Sequence, residues 1–235
     1  MAISKLILIW QSFPSLLRGT LITIELTAGF LGLGLILGIP LAFGQVYGNR
    51  LITTTILSPF VKVFRAIPAL VLLFLFFFGS AFFGIELSAF TAAILAIGLR
   101  STAYQSQIFR GAIQSVGGGQ MMAARSVGMS KLKAIRYIVL PQALRLSIPP
   151  WTNEYAGVLK DSSLAYAVGV TELMRQGRYI VARTFGNALL VYSVCAIIYF
   201  ILVYTGNKFL GFLEEKYKMP GYEVKKRRRK ILERI

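Results

Sequence analysis

Met122-Ala-Ala-Arg-Ser-Val-Gly-Met-Ser130, continued by Lys131 through Leu140-Pro141, decides how the rest of this chain is read. Arg125, Lys131, Lys133 and Arg136 make the stretch too charged for a bilayer interior, yet long apolar segments flank it on both sides. Ala123 and Ala124 give a helix a small face that a partner can approach closely. Gly128 suits a break with positive φ. Ser130 is a good cap for a second helix over 131–140, and Pro141 is expected to end that helix. The expectation is two short helices joined at a glycine, outside the bilayer. Such an element docks a partner; it carries no catalytic chemistry.

Composition agrees. Of 235 residues, 56% are hydrophobic, above the roughly 45–50% of soluble domains. The formal charge is +17, with only nine acidic residues. A soluble chain that basic would suggest nucleic acid, but here the basic residues alternate with membrane-length apolar runs, so no nucleic-acid partner is expected. Histidine is absent and Cys195 is the single cysteine, which argues against zinc and against a disulfide framework. Gly117-Gly118-Gly119 is followed by Gln120 rather than by the Lys of a phosphate-binding loop. ATP hydrolysis therefore does not belong to this chain, and no cofactor is expected on it. The first 15 residues lack the shape of a cleavable signal peptide.

Five apolar stretches read as transmembrane helices: 19–47, 55–79, 88–113, 146–171 and 187–212. Before them, 1–18 reads as an interfacial segment with Trp10 and Phe13. Pro68 is expected to kink the second span, and Pro149-Pro150 to break the fourth early. Segment 172–186 reads as a polar loop, and 214–235 as a basic tail that could meet anionic lipid. Arg65 either binds carbonyls freed near the kink or guards the mouth of a pathway. At 1.5 Å per residue, Arg100 falls about 18 Å into its span, near the middle of a core about 30 Å thick. Tyr104 and Gln107 follow it. The fourth span carries Asn153, Glu154, Lys160, Asp161, Ser162 and Ser163, with Glu154 and Asp161 on one helical face. Charges at that depth face a cavity or a partner. A Lys160–Asp161 pair with an interhelical Glu154, or Arg100 tied up by Asp161 or Glu154, is the purely structural alternative. Arg110, Arg125, Lys131, Lys133, Arg136 and Arg145 cluster between the third and fourth spans, so the positive-inside rule puts that loop and the tail in the cytoplasm and the N-terminus outside.

Ala123-Ala124, Gly128 and Ile138-Val139-Leu140-Pro141 resemble the EAA loop of ABC importer permeases. Phe64-Arg65-Ala66-Ile67-Pro68, Ala103-Tyr104, Ile108 to Ile113, Gln142 to Arg145, Asn153-Glu154 and Lys160-Asp161 are similar to the polar amino acid uptake branch, over roughly residues 15–215. Three positions depart from the pattern: Met122 replaces Glu, Arg100 replaces Asn, and Gln107 replaces Glu. The resemblance implies an all-α membrane protein of the type I ABC importer permease kind. Its permease domain would span 19–213, with a cytoplasmic coupling-helix loop over about 114–145. Met122, Ala123, Ala124, Arg125, Gly128, Met129, Leu140 and Pro141 would meet an ATPase. The implied partners are two ABC ATPase subunits holding ATP and magnesium, a second permease copy or a homologous one, and an extracellular solute-binding protein. The implied cargo is an amino acid. Arg100 adds a positive charge and Gln107 removes a negative one, which favours a neutral or acidic amino acid over a cationic one. The rival readings are an ion-coupled carrier or channel without an ATPase, and a non-transport scaffold that uses the tail.

Overall fold

The computed structural model describes residues 2–183 and 188–218, with side chains from residue 11 on. The basic run 225–230 and most of the expected tail lie outside the described residues. Every described element is helical.

Helix α1, Ala2–Tyr47, has 46 residues and runs on through Pro14, Pro40 and the 18–19 boundary. After Gly48, the Asn49 side chain accepts the Leu51 N–H at 2.8 Å and starts α2, Arg50–Ile52. A π-turn over Thr53–Leu57 leads into α3, Ser58–Ala66. The residue before a proline is pushed out of the helical region, and Ile67 accordingly has ψ 132. Helix α4, Ala69–Phe82, therefore leaves at 105° to Arg50–Ala66. The expected second span is thus not one gently kinked helix but two pieces bent sharply at Ile67-Pro68.

Helix α5, Ala89–Ser115, is capped by Ser88, whose Oγ accepts the Thr91 N–H. Next come α6, Gly118–Ser126; α7, Lys131–Ala134; a π-turn over Ile135–Val139; and α8, Leu140–Asp161. Two expectations fail here. Pro141 does not end a helix: it sits in the first turn of α8. The π-turn moves Leu140 N–H onto the Ile135 carbonyl, which shifts the ladder where Pro141 has no N–H to give. Pro149-Pro150 do not break α8 either, and the helix runs through both to Asp161. It tightens there into a 3₁₀ turn, Ser162–Val168, and stops at Gly169 with φ 109. The expected loop 172–186 is instead largely α9, Leu173–Arg183, because Leu173, Gly177 and Ile180 form a buried stripe at helical spacing. Helix α10, Ala188–Lys216, closes the described chain.

Packing fixes the directions. Helices α1 and α5 run the same way: Gly29 lies against Ile94, Gly34 against Gln105, and Ala42 clusters with Phe109. The chain between them must return along the bundle. Helix α8 runs opposite to α5, since Ala143 packs near Phe109 while Asp161 reaches Arg100. Helix α10 runs with α1: Val191 and Cys195 pack on Leu16, and Leu202 lies farther along beside Tyr155. One end of the bundle thus carries Leu16 and α9. The other carries Tyr47, the segment 116–139 and the last turns of α10.

By length and apolarity two helices can cross a membrane, Gln11–Tyr47 and Ala188–Lys216, or three if the pair bent at Pro68 counts as one span. Helices α5 and α8 are long enough but too polar. Ser101, Thr102, Gln105 and Ser106 of α5 are buried inside the bundle, where an interior helix can keep polar side chains that a lipid-facing one cannot.

Candidate functional site

The 116–139 segment has two left-handed glycines. Gly117 (φ 76) opens α6, and Gly128 (φ 84) closes it. Gly128 N–H bonds the Arg125 carbonyl and Met129 N–H the Ala124 carbonyl, at 3.0 and 3.1 Å. That double closure is a Schellman cap, which needs a residue with positive φ where Gly128 stands. Ser130 Oγ then accepts the Lys133 N–H at 3.4 Å and starts α7, and Lys131 Nζ stacks 5.5 Å from the Tyr47 ring centre. Met122 is 68% exposed, and Ala123, Arg125, Gly128 and Pro141 are also exposed. Met129 and Leu140 are half-buried. Ala124 is 6% exposed, so it packs on its own chain and does not offer a free face. Sequence reasoning passed over Val127 and Leu132, each 79% exposed. Their signal was present: apolar side chains set among lysines and arginines, in an element read as lying outside the bilayer.

A second cluster forms where α5 crosses α8. Arg100 Nη1 donates to Asp161 Oδ2 at 2.7 Å, the one ion pair among the described residues. Ser101 Oγ donates to Glu154 Oε1, also at 2.7 Å. The seven-residue spacing that put Glu154 and Asp161 on one face thus delivers both to α5. Tyr104 follows Arg100 by one turn, and its ring takes the Arg100 guanidinium at 4.8 Å and the Arg65 guanidinium at 4.9 Å. Such stacking satisfies cations in a poorly hydrated setting. Arg100 Nε is buried without a hydrogen bond among the described residues.

Arg65, Arg100, Tyr104, Glu154 and Asp161 are therefore brought together. Gln107 lies farther along α5 and donates to Gln45 Oε1 at 2.9 Å. Asn153 and Lys160 are exposed, and Asp161 takes Arg100 rather than Lys160 as its ion-pair partner. The Ser162 and Ser163 hydroxyls donate to the Leu159 and Lys160 carbonyls, so they serve the 3₁₀ turn.

Behind this cluster lies a chain of polar contacts built on Gln105, a polar residue of the third span to which the sequence assigns no role. Gln105 is fully buried. Its Nε2 donates to Ser101 Oγ at 3.1 Å and to the Leu31 carbonyl at 3.3 Å, while Trp151 Nε1 donates to its Oε1 at 2.9 Å. Glu154 is thus held through Ser101 and Gln105 by three helices. Gly34 is bare because a Cβ there would meet the Gln105 amide. At the opposite end, buried Glu172 caps α9, accepting the Met174 and Arg175 N–H groups at 2.8 Å and the Tyr199 hydroxyl at 3.1 Å. Burial raises the Glu172 carboxyl above its ordinary value, and these donors offset only part of that rise.

Residues 34–218 match the family described as binding-protein-dependent transport system inner membrane component. This chain belongs to that family. It is a membrane transport component, the permease of an ABC system. The chain is 34% identical over 213 residues to the glutamine transport system permease protein GlnP of Escherichia coli (strain K12), covering 90% of this chain and 96% of the relative. It is 37% identical over 198 residues to the L-cystine transport system permease protein TcyB of Bacillus subtilis (strain 168), covering 84% of each. A solved amino acid ABC transporter, crystallised with histidines, superposes with a TM-score of 0.81 at 33% identity, over 88% of this chain and 96% of that one. The inward-facing MetNI methionine transporter shares the fold, with a TM-score of 0.73 at 22% identity.

Proposed function

We propose that this permease imports a polar amino acid, neutral or acidic, as one of two transmembrane chains in a complex driven by two ATPase subunits. An extracellular solute-binding protein delivers the solute. The alternating directions of α1, the bent α2–α4 segment, α5, α8 and α10 support five passes, with the N-terminus outside and the C-terminus in the cytoplasm. The relatives' names, glutamine and L-cystine permeases, support an amino acid as cargo. The ATPases, each holding ATP and magnesium, dock on the segment about 114–145, where Met122, Val127 and Leu132 stand out from a cationic surface.

The observation that carries the cargo reading is the Arg100–Asp161 pair with Glu154 and Arg65 beside it. A zwitterion needs both signs at one depth. An arginine offers a planar fork to a carboxylate, and Glu154 can accept an ammonium. Because Asp161 already neutralises Arg100, a cationic side chain has little remaining negative charge to meet. The discriminating experiment is ATP-driven uptake by the reconstituted complex, with glutamate, glutamine, arginine and lysine as competitors. Inhibition by glutamine or glutamate is expected; strong inhibition by arginine or lysine alone would refute the neutral or acidic assignment. Failure of any ATPase to co-purify with the chain would refute the proposed two-ATPase assembly.

A further inference from the structure

A cavity of about 500 Å³ opens among α1, α3 and α5, with Gln45, Lys62, Arg65, Tyr104, Gln107 and Arg110 in its lining beside Ser58, Val61 and Ala66. Three of these side chains are cationic and none is a carboxylate. Among the described residues no ion pair engages Lys62, Arg65 or Arg110. Cations converging on one concave space raise a positive potential that favours anion entry. The two glutamines add amide donors, and Gln107 is already fixed by its bond to Gln45. Arg65 is oriented by its stacking on Tyr104.

We propose that this cavity is a binding site for an oxyanion, held by Lys62 and Arg110 together with Arg65. The ligand is a carboxylate or phosphate group on a small molecule or on a lipid headgroup. The three cations select for the charged group, whichever molecule carries it. Position gives the site a consequence. Gln45 lies two residues before the end of α1, and Arg110 five before the end of α5. The α1 terminus is in turn pinned to the 116–139 segment by Lys131 on Tyr47. An anion joining α1, α3 and α5 there would brace the end of the bundle from which that segment projects. The cavity shares Arg65 with the polar cluster, but the inference rests on Lys62 and Arg110, which the cargo reading does not use.

The test uses the full chain in nanodiscs. One arm titrates labelled L-glutamate in phosphatidylcholine; the other measures retention of phosphatidylglycerol by native mass spectrometry. Saturable glutamate binding identifies a free carboxylate, and retained phosphatidylglycerol identifies a headgroup. In either arm Lys62→Gln and Arg110→Gln should weaken binding at least tenfold, Arg110→Lys should recover most of it, and added salt should weaken it. The exposed Lys133→Gln should leave it unchanged. If Arg110→Gln fails to fold, Lys62→Gln on the exposed face of α3 decides alone. Binding of neither probe by the unaltered chain, binding indifferent to Lys62→Gln, or tighter binding of L-arginine than of L-glutamate would overturn the proposal. Import by the complex could persist through each of those results.

Discussion

Arg100 and Asp161, 61 positions apart, meet at 2.7 Å with each side chain less than a third exposed. The pair joins the middle of α5 to the last residue of α8, and a strong charge-assisted bond holds it. Losing one partner leaves the other charge short of compensation, at a cost of about 2 kcal/mol. Arg100→Gln and Asp161→Asn should each lower the thermal unfolding midpoint of the purified permease. Combining Arg100→Asp with Asp161→Arg should restore much of that stability without restoring uptake. Full uptake by the swapped chain would show that the pair is a brace and nothing more.

Gly128 sits at φ 84 with open space around its missing Cβ. Backbone strain alone therefore sets the cost of a side chain, about 1–2 kcal/mol. Gly128→Val should keep the protein in the membrane while uncoupling ATP hydrolysis from uptake in the reconstituted complex. Ala124→Asp should be worse, because it would bury a carboxylate inside the permease itself. Met122→Glu, at a well-exposed site, should be tolerated. Normal uptake by Gly128→Val and Ala124→Asp would remove the segment from the coupling role.

Trp151 and Gln105 form the tightest link behind Glu154, at 2.9 Å. Trp151→Phe keeps the ring but leaves the Gln105 carbonyl without its donor, costing about 1–3 kcal/mol. The expected readout is a lowered unfolding midpoint, together with a raised apparent KM for uptake as Glu154 loses its fixed position. An unchanged KM would mean that the Glu154 orientation does not depend on this link.

Gly206 is where the Tyr155 ring crosses α10, with the Tyr155 hydroxyl donating to the Leu202 carbonyl at 2.9 Å. Any Cβ at 206 would collide with that ring. Gly206→Ala should sharply reduce membrane abundance on immunoblots, and adding Tyr155→Ala should recover part of it, since contacting sites are not additive. Equal losses in the single and double variants would place the damage elsewhere.

Glu86 and Ser130 are both exposed; Glu86 lies just before α5, and Ser130 caps α7 beyond the other end of α5. In a Cys195→Ala background, single cysteines at these positions should react with an impermeant thiol reagent from opposite sides of the membrane. Reaction from the same side would refute five passes.

The glycine turn, the Ser130 cap and the shared face of Glu154 and Asp161 were legible because each depends on local chemistry: positive φ, a short hydroxyl side chain, helical periodicity. The prolines were misread for a complementary reason. Pro141 and Pro149-Pro150 look like breakers when only the missing N–H is considered, but a π-turn and tertiary packing absorb them. Segment 172–183 looked like a loop because three arginines hid a buried stripe of Leu173, Gly177 and Ile180. Gln105 stood out only as an amide in an apolar span, and Trp151 not at all; their roles exist only because α1, α5 and α8 cross where they do. The polarity of α5 and α8 has the same origin, which is why apolarity alone does not count them as spans.

The continuity of α8 makes a single shaft of the chain from the π-turn to Asp161. Its 22 residues measure about 33 Å at 1.5 Å per residue. A displacement delivered to α7 meets no loop before Pro149; what α8 transmits past the two prolines arrives at Asp161, against Arg100. The shaft is not uniformly stiff. Pro149 and Pro150 leave the Arg145 and Leu146 carbonyls without their helical donors, so bending concentrates there and is weakest beyond it. Where the two prolines stand along α8 therefore decides how much of such a displacement would reach the polar cluster.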